Sequence, residues 1–170
     1  MDLLVRLYAL PPSAPRADAL AARGITVRRA LASERHVVVE WARAHGSEGW
    51  ASECEVAFAH EPIGCFVAVE GAAAAATAGY SAASETLIGF ACIEATARGF
   101  FGPTAVRADR RGQGVGAGLL LAALHALHER GYAYGIIGWA SDVEFYRRVA
   151  GAEPIHGSEP GVYRGPLKGA

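Results

Sequence analysis

The residues with the clearest chemical potential are the glycines of the segment VRADRRGQGVGAGLLL, residues 106–121. Gly112, Gly114 and Gly116 alternate where a strand-like segment gives way to a helical one. The start of a helix leaves about four backbone N–H groups without partners and carries a partial positive charge. Glycine keeps these amides open because it has no Cβ, and two arginines directly precede the turn. The segment therefore predicts a phosphate or pyrophosphate site.

Several phosphate sites use glycine turns, and the surrounding residues distinguish them. A P-loop requires a lysine after the glycines, and none follows here, which excludes that class of nucleotide hydrolase. A dinucleotide site through Gly112, Gly114 and Ala117 requires an acidic residue about 20 positions later, at the end of the next strand. That strand ends in IIGWAS, which contains no acidic residue, and the first one after it is Asp142. A coenzyme A site has neither requirement. The remaining alternative is that the glycines serve only close packing of strand against helix.

Apolar periodicity and turn residues predict the elements that position this turn. Strands are predicted over 2–10, 25–31, 65–70, 86–95, 100–106 and 133–139, with short closing strands near 153–156 and 161–164. Helices are predicted over 17–23, from Ser33 to Gly46, around Trp50–Phe58, over 114–130, and from a Ser141–Glu144 capping box to Ala150. The alanine-rich segment 71–84 fits either a helix or a loose hairpin connection.

The order of these elements predicts the fold class. Residues 100–139 form a strand, a helix and a strand, which implies a parallel pair with a right-handed crossover. The earlier strands have hairpin-like connections and should pair antiparallel. We therefore expect a single-domain mixed α/β fold, with a mostly antiparallel sheet, a terminal parallel βαβ unit and flanking helices. Residues 1–24 supply a strand and a short helix of the same domain, and residues 25–170 supply the rest.

Composition narrows the class of protein further. The chain has 170 residues, of which 16 are Lys or Arg and 17 are Asp or Glu. This balance disfavours a duplex-DNA binder, whose affinity depends on a cationic face. Three cysteines without a C-x-x-C pair predict reduced thiols in a cytosolic protein rather than a disulfide framework or a thiolate zinc site. The longest apolar segment is too short to span a bilayer, so no membrane association is expected.

The stretch V-R-A-D-R-R-G-Q-G-V-G-A-G-L-L resembles the signature of the GNAT superfamily of N-acetyltransferases, [QR]-x-x-G-x-[GA] after a strand. Arg111, Gly114 and Gly116 match its fixed positions, and FYRRVAGA (145–152) follows in the expected order. The resemblance covers residues 25–157 and leaves the first strand outside. It implies the fold described above and acetyl-coenzyme A, or a related acyl-CoA, as co-substrate.

Carried onto this sequence, the resemblance implies a cofactor site and a reaction. The acetyl group passes directly to a primary amine in a ternary complex, without a metal, and the amide of Val106 polarises the thioester carbonyl. The backbone of Ala105 and Val106 pairs with pantetheine. The implied cofactor-binding residues are Ala105, Val106, Arg111, Gly112, Gln113, Gly114, Val115, Gly116 and Ala117.

The resemblance also implies two catalytic side chains. Tyr146 lies where the family often has a tyrosine that protonates the departing thiolate, and a phenol is protonated at neutral pH. Glu94 lies where the family often has a carboxylate base, and its apolar neighbours predict a raised pKa. Glu53, Glu55 and His60 lie on the segment expected to flank the acceptor, where a surface or pocket-wall position is favoured for each over a role as base.

Other activities remain open at this point. A non-catalytic acyl-CoA sensor or partner module would keep the glycine turn without the chemistry, and a nucleotide-dependent oxidoreductase is a second alternative. His125 and His128 could share a metal, but no third ligand is suitably spaced. The acceptor is expected to be a small-molecule or peptide amine. Acidic residues in the flanking segments suit a cationic one, and the apolar first strand suggests a homodimer.

Overall fold

Seven strands and five α-helices make up the part of the chain that the computed structural model describes, namely residues 1–71, 85–163 and 167. The strands are β1 (Leu3–Arg6), β2 (Ile25–Arg29), β3 (Cys65–Glu70), β4 (Thr86–Ile93), β5 (Phe100–Val106), β6 (Tyr134–Ile137) and β7 (Glu153–Pro154). The helices are α1 (Ala14–Ala21), α2 (Arg35–His45), α3 (Glu48–Phe58), α4 (Val115–Glu129) and α5 (Val143–Ala150). Residues 72–84, for which a helix and a hairpin link were both open, lie outside the described residues.

The strands form one sheet in the order β2-β3-β4-β5-β6-β1-β7. Only β5 and β6 pair in parallel, and the other neighbours are antiparallel. The parallel pair is joined by α4, as a strand–helix–strand crossover requires. The predicted fold class, a mixed α/β domain with a mostly antiparallel sheet and a terminal parallel unit, is confirmed.

The alternating side chains of the central strands fill a core on each face of the sheet. On β3, Phe66 and Ala68 join the cluster formed with α4, whereas Val67 and Val69 join the cluster formed with α2 and α3. Helix α4 buries ten of its fifteen residues, which explains its nearly continuous apolar sequence. No helix in the described ranges is long and apolar enough to cross a membrane.

The first strand is an interior strand of the sheet. It pairs with β6 on one side and β7 on the other, and its Leu3 and Val5 are fully buried. It is shorter than predicted because the chain turns into a 3-10 helix at Leu7–Ala9 before Pro11 and Pro12. Pairing within the chain accounts for the apolar sequence of β1, so that sequence no longer argues for a homodimer.

Two other local predictions are wrong. The predicted strand at 161–164 is, over its described residues, a 3-10 helix at Gly161–Tyr163, where Gly161 has φ +60°, outside the extended range of a regular strand. Helix α5 is capped by Asp142, whose carboxylate accepts from the Phe145 amide at 3.0 Å, and not by Ser141. A cap at either position leaves the helix in the same place.

Candidate functional site

The central feature of the site is the point where the two parallel strands separate. Strand β6 pairs with β5 only at Phe100–Ile136 and Phe101–Ile137. Beyond that point β5 continues to Val106 with β4 on one side and no strand on the other. Two connected depressions open along the uncovered edge. The wider has a volume of about 770 Å³ and the narrower about 280 Å³. Four residues line both: Trp50, Phe101, Thr104 and Tyr146.

The uncovered edge of β5 presents main-chain groups to the narrower depression. The Arg107 amide donates to the Ile88 carbonyl at 2.8 Å, which makes Gly89–Val106 a non-hydrogen-bonded pair of the antiparallel ladder. The amide of Val106 therefore faces away from β4 and into the split, and so does that of Thr104 two residues earlier. The main chain of Ala105 faces β4 instead. An extended ligand chain could pair along this edge as an added strand, through Thr104 and Val106 rather than Ala105.

The glycine turn lies at the start of α4, next to this edge. The first hydrogen bond of the helix runs from the Gly118 amide to the Gly114 carbonyl, at 3.0 Å. The amides of Val115, Gly116 and Ala117 therefore have no partner within the helix. Together with the positive end of the helix dipole, they form a site that favours an anion.

The three glycines serve different purposes. Gly112 and Gly114 have φ values of +72° and +85°, which side-chain-bearing residues rarely adopt. Gly116 has no such constraint, and a Cβ there would make ordinary contacts of 3.6 Å with Phe145 and Val106. The fold therefore requires glycine at the first two positions but leaves the third unexplained. Gly116 lines the narrower depression, where an added side chain would occupy ligand space.

Arginine side chains surround the turn, and the sequence did not reveal all of them. Arg16 of α1 lies beside Gly114, since a Cβ at that glycine would be 3.3 Å from the arginine Nη1. Arg23, two residues beyond the end of α1, donates to the Gln113 carbonyl at 2.8 Å and links this segment to the turn. Arg111 donates through Nε to the Val106 carbonyl at 3.1 Å and lines the narrower depression. The positive charge expected from Arg110 is offset by its ion pair with Glu70 at 2.8 Å.

Tyr146 lies where the two depressions meet. Its ring packs edge-on against Phe101 and Phe145, with centroids 6.3 and 5.0 Å apart. Burial, and to a smaller extent the nearby Asp142 carboxylate, raise the pKa of the phenol above its ordinary value of 10. The hydroxyl is therefore protonated across the neutral range and can act as a proton donor.

Helix α3 and the residues before it form the opposite wall. Trp50 lines both depressions, and Glu53 lines the wider one, half-buried, with one oxygen accepting from the Thr96 hydroxyl. His45 lines the narrower depression, stacked on Trp41 with ring centroids 3.9 Å apart. Its Nδ1 lies 3.0 Å from the Trp41 carbonyl, which only accepts, so the neutral ring carries its proton there and Nε2 remains an acceptor. His45 is not among the site residues predicted from the sequence.

Glu94, the predicted base, lies away from the two depressions at the strand split. It lies just beyond β4, where it is ion-paired with Arg130 and accepts from the Tyr132 hydroxyl at 2.5 Å. Burial raises its pKa, but the hydrogen bonds from Tyr132 and Arg130 outweigh that effect and the net shift is downward. The expected raised pKa is therefore wrong. Glu94 lines a separate depression of about 300 Å³ and neither of the two at the strand split.

The other singled-out residues lie away from the split. Glu55 is exposed and paired with Arg35, and His60 lies beside Glu94. His125 bonds to the Pro11 carbonyl, and the described residues contain no cluster of three or more potential metal ligands. All three cysteines are free and buried. Burial strongly raises the pKa of the Cys92 thiol, which keeps it protonated and unsuited to nucleophilic attack.

A family model described as "Acetyltransferase (GNAT) family" matches residues 33–152, well over half of the chain. The chain belongs to the GNAT acetyltransferase family. The resemblance carried by Arg111, Gly114 and Gly116 is thereby confirmed. Membership supports acyl transfer in general and disfavours the oxidoreductase alternative. The matched segment begins after β1, α1 and β2, so Arg16 and Arg23 lie outside the part that the family model covers.

Comparison with solved structures agrees with this assignment. One similar structure is described as a GCN5-related glucosamine N-acetyltransferase region in a fungal multi-domain GH3 beta-N-acetylglucosaminidase. The TM-score is 0.66 at 16% identity, over 89% of this chain and 19% of that one, so the likeness concerns the fold. No curated protein sequence gives a significant match to this GNAT chain.

The role of Gly116 can be tested directly. In Gly116→Val the side chain would fill space beside the helix-start amides while leaving the fold intact. We expect the affinity for coenzyme A to fall about tenfold or more, because charge-assisted hydrogen bonds are worth about 1.5–3 kcal/mol. Calorimetric titration measures the effect, and His128→Val, exposed at the far end of the same helix, controls for a β-branched residue in α4. Equal affinities for Gly116→Val and wild type would contradict the anion site.

Arg16 gives a second, electrostatic test. We expect Arg16→Gln to weaken coenzyme A binding about two- to fivefold, as is typical of an exposed charge, with the loss shrinking at high salt. Arg98→Gln, which removes a charge beside Glu94, should leave the affinity unchanged. A salt-independent loss, or an equal loss in both variants, would show that Arg16 does not contact the anion.

Glu94 should contribute to stability. The pKa of Glu94 is lower in the folded chain than its ordinary value of 4.5. Its pairing therefore stabilises the fold fully at pH values above 4.5, and this stabilisation is lost as the pH falls through the lower pKa of the folded state. We expect Glu94→Gln to lower the free energy of unfolding by about 1–3 kcal/mol at pH 7 and to have little effect in strong acid. Urea unfolding at both pH values, with exposed Glu55→Gln as control, checks this. A loss of turnover without a loss of stability would instead indicate a base.

Proposed function

We propose that this protein transfers an acetyl group from acetyl-coenzyme A to a primary amine, directly and within a ternary complex. The observation that carries the proposal is the separation of β5 and β6 after Phe101 and Ile137. The opening lies beside two features, the uncovered edge of β5 and the unpaired backbone amides at the start of α4. A pyrophosphate and an extended pantetheine chain require those two features side by side.

The cofactor is held mainly by main-chain groups in this proposal. The pyrophosphate binds the amides at the turn, with Arg111 and Arg16 nearby, and the pantetheine lies along Thr104 and Val106. When bound, the cofactor supplies an activated thioester. The Val106 amide faces the split and donates to the thioester oxygen as negative charge develops there. The glycine-turn residues from Gly112 to Ala117 form the rest of the proposed cofactor site.

The chemical step needs no further reactant. The neutral amine nitrogen attacks the acetyl carbon, the new C–N bond forms and the C–S bond breaks. Tyr146 protonates the departing sulfur and regains its proton from solvent, while the amine releases its extra proton to water. The products are the acetylated amine and coenzyme A as a free thiol. We assign no base role to Glu94, because it is ion-paired and lines neither depression of the split.

The proposal also assigns a place to the acceptor. The acceptor, a small-molecule or peptide amine, occupies the wider depression. Glucosamine, the amine for which the similar fungal region is named, belongs in the test panel. The cytosolic location stays a prediction from the sequence, as does the homodimer, which the apolar sequence of β1 no longer supports.

The decisive experiment combines binding and turnover. Coenzyme A should bind by calorimetry, and acetyl-coenzyme A with a panel of primary amines should release free thiol, with the acetylated amine identified by mass spectrometry. Binding without acetyl transfer to any amine would favour the non-catalytic sensor. Failure to bind coenzyme A would contradict both the enzyme and the sensor.

Tyr146 provides a test of the chemical step. We expect Tyr146→Phe to lower kcat about 100-fold, within the range typical of a general acid, and to leave the affinity for coenzyme A unchanged because the ring still packs on Phe101. Tyr8→Phe, at an exposed tyrosine that packs edge-on against Tyr134, is the matched control. An unchanged kcat in Tyr146→Phe would reduce the residue to a packing role.

A further inference from the structure

The wider depression has a charge pattern that points to its ligand. Its only carboxylates among the described lining residues are Glu53 and Glu159, and Glu159 is ion-paired with the amino group of Met1 at 2.9 Å. No Lys, Arg or His side chain lines this depression in the described chain. Trp50 and Trp139 add aromatic surface, which attracts cations as well as apolar groups.

Glu53 is held in place before any ligand arrives. It points from α3 into the depression, and one of its oxygens accepts from the Thr96 hydroxyl. No cation from the protein pairs with it among the described ion pairs, whereas Glu55 on the same helix is paired with Arg35. A fixed, half-buried carboxylate without a cationic partner favours a positively charged ligand.

The position of Glu53 separates it from the reacting atoms. Glu53 lines only the wider depression, whereas Val106, whose amide is proposed to hold the thioester oxygen, lines only the narrower one. The attacking nitrogen must be neutral, and a carboxylate in direct contact would favour its protonated form. Glu53 is therefore suited to a second positive group of the same molecule.

From these observations, and resting on the proposed function, we propose that the acceptor is a dication: one amine is acetylated at the split while a second ammonium group binds Glu53. The apolar chain between the two groups lies against Trp50 and Phe101, which line both depressions. The second charge fixes the orientation of the molecule and selects its length.

The test compares α,ω-diaminoalkanes of increasing length with monoamines of matched length, using the full chain and acetyl-coenzyme A. In wild type we expect kcat/KM for the best diamine to exceed that of its monoamine about ten- to hundredfold, with a clear optimum of chain length. Glu53→Gln should remove this preference through KM of the diamine and leave the monoamine nearly unchanged. Glu55→Gln, on the outer face of the same helix, should retain the wild-type preference.

Two results would overturn the inference. Equal kcat/KM for diamine and monoamine in wild type would do so while leaving the proposed acetyl transfer intact. A loss of kcat in Glu53→Gln for both kinds of amine would show that Glu53 acts on the reacting nitrogen instead.

Binding provides a readout that does not depend on turnover. Diamine should bind the complex with coenzyme A by calorimetry, and Glu53→Gln should weaken it by the same ten- to hundredfold. If this binding is observed but no amine is acetylated, the dication site is retained and the proposed transfer is rejected. Absence of diamine binding to wild type rejects the dication site.

Discussion

The parting of β5 and β6 after two residue pairs is the constraint on which the rest of the site depends. A parallel pair that continued to Val106 would satisfy the main-chain groups of β5 and leave no open strand edge for an extended ligand. Because β6 ends at Ile137, the amides of Thr104 and Val106 remain open on a strand that is otherwise fixed by β4. The chain then places the start of α4 next to that open edge.

Rigid packing around the split keeps these groups available. Helix α4 is buried along most of its length against the sheet, and the segment just after α1 is linked to the glycine turn by the hydrogen bond from Arg23 to Gln113. The main-chain amides therefore hold their positions without a ligand. Binding groups that are already in place cost little ordering entropy when a ligand arrives. The N-terminal segment thus contributes to the site although the family model does not cover it.

Charge divides the site into two parts. Arg16 and Arg111 lie on the side of the helix start, where phosphate groups are proposed to bind, whereas Glu53 lies on the side of α3. Tyr146 lies between them with a raised pKa, in surroundings of aromatic rings. An anionic cofactor and a cationic acceptor would therefore approach from opposite ends and meet where the proton donor is located. The ion pair of Glu94, by contrast, supports the far end of α4.

The sequence alone determined the fold class, the strand–helix–strand unit and the glycine turn, because periodicity, glycine spacing and helix-start chemistry are local properties. Its family resemblance was confirmed by the match over residues 33–152. Only the tertiary structure decided which glycine is free of backbone constraint, that Arg16 reaches the turn, and that Glu94 is tied to Arg130 while Glu53 faces the depression. These outcomes depend on contacts between residues far apart in the chain. A carboxylate's neighbours, and hence its pKa and its role, are fixed by packing and cannot be read from its position along a strand.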